Sequence, residues 1–350
     1  MQNILSTLAV SVLGLGLFWG FGLPLPFLLG PMFACLGAAL AGMPLAGVEP
    51  VSGAMRTVLG VAAGASVTPQ LVERLGDFAL SVVLVLVFTV LIVATGYPYF
   101  RRVCRFDPVT AYYAAAPGGL QDMILFGQEA GGNVRALSLV HATRVFAIVA
   151  IMPFVLVGLF DMTLDNPVGA PASSLPVEEL LLMLACAWIG WRGGKRIGLF
   201  GAAILGPMAL AAAASLTDLL HGRPPEEAIL AAQFFIGLGI GISYVGVTAQ
   251  ELRRVVIAAL GYCGLLACLS IAFAALAAAL GAAPMVEAVL AFAPGGQAEM
   301  VVLAIVAGAD IAYVVTIHLS RLVIVILGAP ILARILRTRT QTEQQREDAS

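Results

Sequence analysis

Long apolar stretches fill this chain, and short clusters of glycine, proline and charged residues separate them. Most stretches approach the roughly 20 residues that an α-helix needs to cross a bilayer, so the pattern predicts an all-α polytopic membrane protein. In the first half we expect apolar helices near 4–21, 23–45, 54–68, 78–100 and 132–159, with an interrupted segment near 108–130. In the second half we expect them near 177–192, 197–215, 227–248, 253–281 and 310–333, with an interrupted segment near 285–308.

The two halves are copies of each other. A Pro-Gly-Gly, an acid followed by Met, a His-x-x-Arg and a later proline recur in the same order, and each recurs 177 residues later. Matched landmarks in one register indicate a tandem duplication. The landmarks are Pro117-Gly118-Gly119, Asp122-Met123, His141, Arg144 and Pro153 in the first copy, and Pro294-Gly295-Gly296, Glu299-Met300, His318, Arg321 and Pro330 in the second.

Small residues are also duplicated. Leu29-Gly30-Pro31-Met32 matches Leu205-Gly206-Pro207-Met208, and Gly60, Gly64 and Ser66 match Gly237, Gly241 and Ser243. Small residues four apart predict close helix packing in lipid. The Gly-Pro pairs predict that their helices bend or break.

The duplication and the loop residues divide the chain. We expect a first repeat over 1–160, an extracytoplasmic linker over 161–176, a second repeat over 177–333 and a polar cytoplasmic tail over 334–350. The linker is rich in Asn, Pro and Ser, which favour loops.

Composition supports a membrane protein. The chain is 61% hydrophobic and 11% charged, with a mean hydropathy of +1.01, whereas a soluble domain is about 25% charged. The formal net charge of −2 gives no information on partners. The five cysteines do not have metal-ligand spacing with histidine.

Basic residues predict the topology, because cytoplasmic loops collect Lys and Arg. If each Pro-Gly-Gly segment enters and leaves the membrane by the same face, each copy crosses five times and every basic cluster lies inside. This arrangement gives about ten transmembrane helices in two inverted repeats, each with a broken or re-entrant segment, as in secondary transporters. The clusters are Arg101-Arg102-Arg105, Arg192-Lys195-Arg196, Arg253-Arg254 and Arg334-Arg337-Arg339.

Each Pro-Gly-Gly should end one half-helix and start another, exposing unpaired N–H groups. Asp122 and Glu299 then lie in the first turn of the new half-helices. Each carboxylate could satisfy its own helix end, or face a cavity and bind a proton or cation. Both alternatives stay open.

His141 and Arg144 are three residues apart and share a helix face near the bilayer centre, and the same holds for His318 and Arg321. An arginine at that depth needs a carboxylate or a bound anion. One interpretation is a structural ion pair with Asp122 or Glu299, and the other is an anion site. Each of the two histidines is either a hydrogen-bonded packing residue or a group that titrates near neutral pH.

The candidate substrate- and ion-binding residues follow from these segments, and we assign no catalytic residue, metal or cofactor. They are Gly118, Gly119, Gln121, Asp122, His141, Arg144, Gly295, Gly296, Gln297, Glu299, His318 and Arg321.

The paired Pro-Gly-Gly and His-x-x-Arg segments, the duplicated Leu-Gly-Pro-Met and the ten-helix length resemble the membrane AbrB family over nearly the whole chain. The resemblance implies a multi-pass inner-membrane protein, and family members carry labels for regulation of gene expression or ammonia monooxygenase activity. The plan is also similar to sodium–proton antiporters and bile-acid-type carriers. Outside the short C-terminal tail, the sequence shows no basic face that could bind DNA. A metal oxygenase would need a cluster of His or carboxylate ligands, and the chain has three histidines.

The sequence therefore predicts a secondary transporter of a small anionic or zwitterionic solute, coupled to protons or sodium. The expected partners are the lipid bilayer, the solute and the coupling ion, without nucleic acid, and a homodimer is compatible with the pattern. A membrane-embedded regulator or sensor of gene expression is the first alternative, and a membrane monooxygenase is the second.

Overall fold

The structure, a computed structural model, describes residues 2–47, 49–69, 73, 75–164, 166–199, 201–325 and 328; of residues 49, 75, 120–122 and 125 it describes the backbone alone. All regular elements in these ranges are helical. Pro330, the basic cluster from Arg334 to Arg339 and the predicted tail over 334–350 lie outside the described residues.

The described helices repeat between the two copies. The two halves of each interrupted segment have the same boundaries 177 residues apart, and the helix that follows begins at equivalent residues. In the first copy the helices are α1 (Gln2–Gly20), α2 (Pro26–Leu40), α3 (Glu49–Ala65), α4 (Ala79–Tyr99), α5 (Pro108–Ala115), α6 (Leu120–Glu129) and α7 (Val134–Phe160). In the second they are α8 (Val177–Arg196), α9 (Ala202–Leu216), α10 (Glu226–Ile242), α11 (Ile257–Ala279), α12 (Met285–Phe292), α13 (Gln297–Val306) and α14 (Ile311–Val325).

The predicted interruptions are confirmed. The chain leaves the helical conformation after Ala115 and after Phe292, and it is extended at Gly119 and Gly296, which precede the second half-helices. Proline supplies no N–H donor, so it cannot continue either first half-helix. Of the two outcomes expected at the Leu-Gly-Pro-Met segments, a break does not occur, because α2 and α9 run through Pro31 and Pro207, and a bend stays a prediction.

Four helices in the described part of the chain are long and apolar enough to cross a membrane, which makes this a membrane protein. They are Gln2–Gly20, Gly76–Cys104, Val134–Phe160 and Ala249–Ala279. Further apolar helices are shorter; α2 and α9 have 15 residues each, which spans about 22 Å at 1.5 Å per residue. The predicted crossing number of ten stays a prediction.

Glycines join the two copies through reciprocal contacts. A Cβ atom on Gly60 or Gly64 of α3 would collide with the backbone of Ile204 or Met208 in α9. The equivalent contacts on the other side join Gly237 and Gly241 of α10 to Leu28 and Met32 of α2. The predicted packing role of these glycines is confirmed, and each copy covers the second helix of the other with its own third helix.

We expect Gly237→Ala to lower the free energy of unfolding by about 1–3 kcal/mol, because the added methyl group would overpack the contact with the carbonyl of Leu28. Gly239→Ala is the matched control on the same helix, since a Cβ there meets nothing within 4 Å. The control should be neutral or stabilising by up to about 1 kcal/mol. Thermal unfolding of both variants in one detergent provides the comparison, and equal stabilities would contradict this packing.

The fourth helices of the two copies pack antiparallel. Near the end of α4, the Tyr99 hydroxyl donates to the carbonyl oxygen of Ala258 at 2.7 Å, at the start of α11. Earlier in α4, the carbonyl oxygen of Ile92 accepts from Tyr262 at 3.2 Å. A π-helical turn, Phe100–Cys104, follows α4, and another, Leu252–Val256, precedes α11. Both basic turns therefore lie together at one face of the protein.

The linker lies against other loops that are poor in basic residues. The backbone N–H of Glu226 donates to the carbonyl oxygen of Ala170 at 2.9 Å, and the Asn166 side chain donates to the carbonyl oxygen of Val306 at 3.0 Å. His221, in the loop after α9, hydrogen-bonds the Glu179 carboxylate at the start of α8 at 3.1 Å.

We expect the titration of His221 to report this contact. The hydrogen bond that His221 donates to Glu179 raises the pKa of His221 above its ordinary value, because the carboxylate favours the imidazolium. The contact between His221 and Glu179 therefore stabilises the fold fully at pH values below the ordinary histidine pKa of about 6.5. This stabilisation is lost as the pH rises through the raised pKa of His221. Glu179→Gln should lower the pKa of His221 measured by NMR, whereas Glu178→Gln next to it should not. Equal titration curves would contradict the contact.

Candidate functional site

The first interrupted segment is held by two side chains of α7. His141 Nε2 donates to the carbonyl oxygen of Tyr113 at 3.0 Å. The Arg144 guanidinium donates to the carbonyl oxygens of Ala116 at 3.2 Å and Gly118 at 2.7 Å. The last carbonyls of a helix lack partners within it, and a cation there also complements the negative end of the helix dipole. We call His141, Arg144 and these three carbonyls the first carbonyl clamp.

The second copy repeats the arrangement atom for atom. His318 Nε2 donates to the carbonyl oxygen of Leu290 at 3.0 Å, and Arg321 donates to those of Ala293 at 2.9 Å and Gly295 at 3.2 Å. These residues form the second carbonyl clamp. The ion pair that one interpretation assigned to Arg321 and Glu299 is not found among the described residues. The carbonyl end of α12 takes the guanidinium instead.

Two hydroxyl groups complete the clamps, and sequence reasoning missed both. The Tyr262 hydroxyl shares its one proton between the carbonyl oxygens of Ile92 at 3.2 Å and Ala115 at 3.1 Å. The Ser270 hydroxyl shares its proton between those of Leu266 at 2.8 Å and Phe292 at 3.1 Å. Ala115 and Phe292 are equivalent positions of the copies, but both hydroxyl groups lie on α11. The duplication therefore gave no signal for them, and a single helix of the second copy contacts both breaks.

The two clamps differ in one hydrogen bond. In the second, Arg321 Nη2 donates to His318 Nδ1 at 2.9 Å; His318 Nε2 is the ring donor, so Nδ1 is the acceptor. In the first, His141 Nδ1 and Arg144 Nε are buried and have no hydrogen-bond partner among the described residues. Buried polar atoms without partners are costly, so the first clamp has unused capacity to bind a polar group.

The methionine of the repeated motif packs on the break. A Cβ on Gly118 would lie 2.6 Å from Met123 Cε, and one on Gly295 would lie 2.7 Å from Met300 Cε. Each pair joins the extended loop to the half-helix after it. The methionine side chain thus occupies the space beside the glycine in both copies.

The acid after the second break lies over its own helix end. The Glu299 carboxylate is buried and fills the space where Gly296 would carry a Cβ, at the N-terminus of α13. Gln297, the first residue of that helix, has a buried side-chain nitrogen without a partner in the described structure. In the first copy, Gln121 and Asp122 lie in the first turn of α6, and their side chains lie outside the described residues.

The charged groups of the two copies lie within electrostatic range of one another. Glu299 of the second copy interacts electrostatically with Arg144 and Arg56 of the first, and Arg144 is close enough to Arg321 to oppose its charge. The two breaks therefore contribute to one buried cluster with positive and negative groups. Ionisable groups at such depth are expensive and mark functional sites by default.

Comparison with known proteins agrees with the duplicated motifs. The family model described as "Transition state regulatory protein AbrB" matches residues 27–337, which is most of the chain and includes both clamps. The chain belongs to the AbrB family.

Two relatives of this AbrB-family chain are similar along most of their length. "Uncharacterized protein YhjN" of Bacillus subtilis (strain 168) is 26% identical over 296 residues, covering 80% of this chain and 77% of the relative. "Putative regulator AbrB" of Escherichia coli (strain K12) is 26% identical over 338 residues, covering 94% and 96%. Neither name is that of an enzyme. Within the described part of this AbrB-family chain, the His, Cys, Asp and Glu side chains do not form a group of three that could hold a metal ion.

Proposed function

We propose that this AbrB-family protein is a secondary transporter in the inner membrane, which moves a small anionic or zwitterionic solute with protons or sodium. The observation that carries this proposal is the first carbonyl clamp, where buried Arg144 Nε and His141 Nδ1 lack partners among the described residues. In the second clamp the equivalent ring nitrogen, His318 Nδ1, has a partner, because it accepts from Arg321.

The chemistry of the cluster favours a carboxylate-bearing solute. Arg144 and Gln297 offer N–H donors without partners in the described structure, and a carboxylate can accept from both. The charge of Arg321 opposes that of Arg144, and an anion between them would relieve the repulsion. The buried Glu299 carboxylate could in turn hold the ammonium group of a zwitterion.

The same acids are suited to ion coupling. Glu299 lies at the start of α13, near Arg144 of the other copy, so its protonation or cation binding would change the field at the proposed solute site. Asp122 occupies the equivalent position of α6, and we propose the same role for it. Gly119 lacks a side chain and would let the backbone approach the solute, whereas the space beside Gly296 holds the Glu299 carboxylate.

Inverted repeats are supported by the packing of α4 and α11. These equivalent helices run antiparallel, and Arg254 of one π-helical turn donates to the carbonyl oxygen of Cys104 in the other at 3.0 Å. Basic residues from both copies thus meet at one face, which the charge rule places in the cytoplasm. We propose ten crossings, cytoplasmic termini and an extracytoplasmic linker.

Cysteine labelling tests this topology. Single cysteines are introduced at Ser173 and at Ser350 in a variant without the native cysteines, and an impermeant thiol reagent is added outside inner-membrane vesicles. We expect it to label the Ser173→Cys variant in right-side-out vesicles and the Ser350→Cys variant in inside-out vesicles. Ser173 lies in the exposed linker, and Ser350 is the last residue. Labelling of both from the same side would contradict the inverted arrangement.

A binding screen tests the proposed site. Purified protein is heated with small carboxylates, amino acids and neutral analogues, and a ligand at about 100 times its Kd should stabilise the fold by about 2.7 kcal/mol. We expect carboxylates to stabilise the wild type and not Arg144→Gln. If no carboxylate stabilises the wild type, or if Arg144→Gln binds carboxylates as tightly as the wild type does, the first carbonyl clamp is not the solute site.

A membrane-embedded sensor is the second candidate, because the similar Escherichia coli protein is named a regulator. A sensor and a transporter would both bind the solute at the clamp, and flux separates them. A membrane monooxygenase would hold a redox metal, which elemental analysis of the purified protein would detect.

A further inference from the structure

A groove opens at the basic face, where the two π-helical turns meet. It has a volume of about 840 Å³, and we call it the basic groove. Its lining includes Val103, Gln250, Arg253, Arg254 and Ile257. The walls are the end of α4 and the start of α11, which are among the longest apolar helices of the described chain. The groove therefore lies where a membrane-spanning pair reaches the polar boundary of the bilayer.

The lining changes from cationic to apolar along α11. Gln250, Arg253 and Arg254 form the polar end. One turn further into the helix the groove is lined by Ile257 and, from the other π-helical turn, by Val103, and both are more than half exposed. A surface that joins two cations to exposed aliphatic side chains matches an amphiphile with an anionic head.

The charge of the groove is largely uncompensated. Arg253 has no hydrogen bond or ion pair with the described residues, and Arg254 donates to a neutral carbonyl. Two acids line an adjacent groove together with Arg254: Glu251, which Arg135 engages at 2.9 Å, and Asp107, which accepts from the backbone N–H of Thr110 at 3.0 Å. Arg253 and Arg254 both line the groove, and a guanidinium group binds phosphate oxygens through charge-assisted hydrogen bonds.

We propose that the basic groove binds an anionic phospholipid, with its phosphate on Arg253 and Arg254 and an acyl chain along Ile257 and Val103. Basic pockets between membrane helices on the cytoplasmic side recognise such head groups. The lipid would lie against the contact between α4 and α11 and stabilise it. This inference is independent of the solute and of transport.

The test is lipid binding to delipidated full-length protein in detergent, measured by native mass spectrometry with phosphatidylglycerol, phosphatidylcholine and inorganic phosphate as probes. We expect phosphatidylglycerol to bind at least about tenfold more tightly than phosphatidylcholine, and Arg253→Gln/Arg254→Gln to remove most of this preference, since each basic residue near a lipid surface contributes about 1 kcal/mol. Arg192→Gln/Arg196→Gln is the control, because it removes the same charge from exposed residues outside the groove.

A second pair of variants tests the apolar part. Ile257→Asn should weaken phosphatidylglycerol binding, whereas Leu260→Asn, also exposed on α11 but outside the groove, should not. Arg253→Gln alone removes no hydrogen bond between described residues, so its fold should be intact and its binding weaker. Equal binding of both lipids, wild-type binding by Arg253→Gln/Arg254→Gln, equal loss in the control pairs, or competition by inorganic phosphate as strong as by the lipid would each overturn the proposal.

Discussion

Arg321→Gln should lower the free energy of unfolding by about 2–4 kcal/mol, and Arg144→Gln should lower it by about 1 kcal/mol less. Both changes leave two buried carbonyl oxygens without their charged donor. Arg321 also donates to His318 Nδ1, whereas His141 Nδ1 receives no such bond. Denaturant unfolding of the two variants in matched detergent measures the difference.

Ligand binding should show the opposite order. Arg144→Gln should abolish solute binding because it removes the N–H donor that lacks a partner. The folded fraction of the Arg321→Gln variant should retain part of the wild-type binding. Arg196→Gln is the control for charge, since Arg196 is exposed at the end of α8 and should change stability by at most about 0.5 kcal/mol. Equal loss of stability and equal retention of binding in both clamp variants would show that the asymmetry has no functional meaning.

Glu299→Gln and Asp122→Asn should remove the dependence of solute uptake on the proton or sodium gradient while the protein stays folded. The amides keep the shape and the acceptor oxygen but do not titrate. A carboxylate that serves only its helix end should tolerate the change with a loss of about 1 kcal/mol or less. Uptake at a series of pH values and sodium concentrations separates the two roles.

The two acids need not contribute equally. Gln121 precedes Asp122, whereas Ala298 precedes Glu299, so we expect the Asp122 side to be the more polar and its variant the more sensitive. Glu287→Gln, in the first turn of α12, is the control for removal of an acid from the second interrupted segment. Wild-type ion dependence in both site variants would exclude these acids from coupling.

The sequence predicted the breaks well because their signals are local. Proline and paired glycines interrupt a helix wherever they occur in this order, so α5, α6, α12 and α13 end and begin at the expected motif. The helices before them were less well predicted. The stretch 23–45 forms a helix only over Pro26–Leu40, since apolar residues also occur in the turns that flank it.

The partners of the arginines could not be predicted from spacing. Three residues between His141 and Arg144 establish a shared helix face, but they do not show what lies opposite that face. The carbonyl ends of the half-helices compete with the acids for the guanidinium groups, and only the packing of α7 and α14 against the breaks decides in their favour. Tyr262 and Ser270 were missed because each is unmatched in the other copy.

Uphill solute flux in proteoliposomes tests directly whether this protein is a secondary transporter. The best ligand of the binding screen is supplied outside vesicles that contain the wild type, with an imposed proton or sodium gradient. We expect accumulation above the external concentration, its collapse when an ionophore removes the gradient, and no accumulation with Glu299→Gln or Arg144→Gln. Tight binding without any flux by the wild type would contradict it and would favour a sensor.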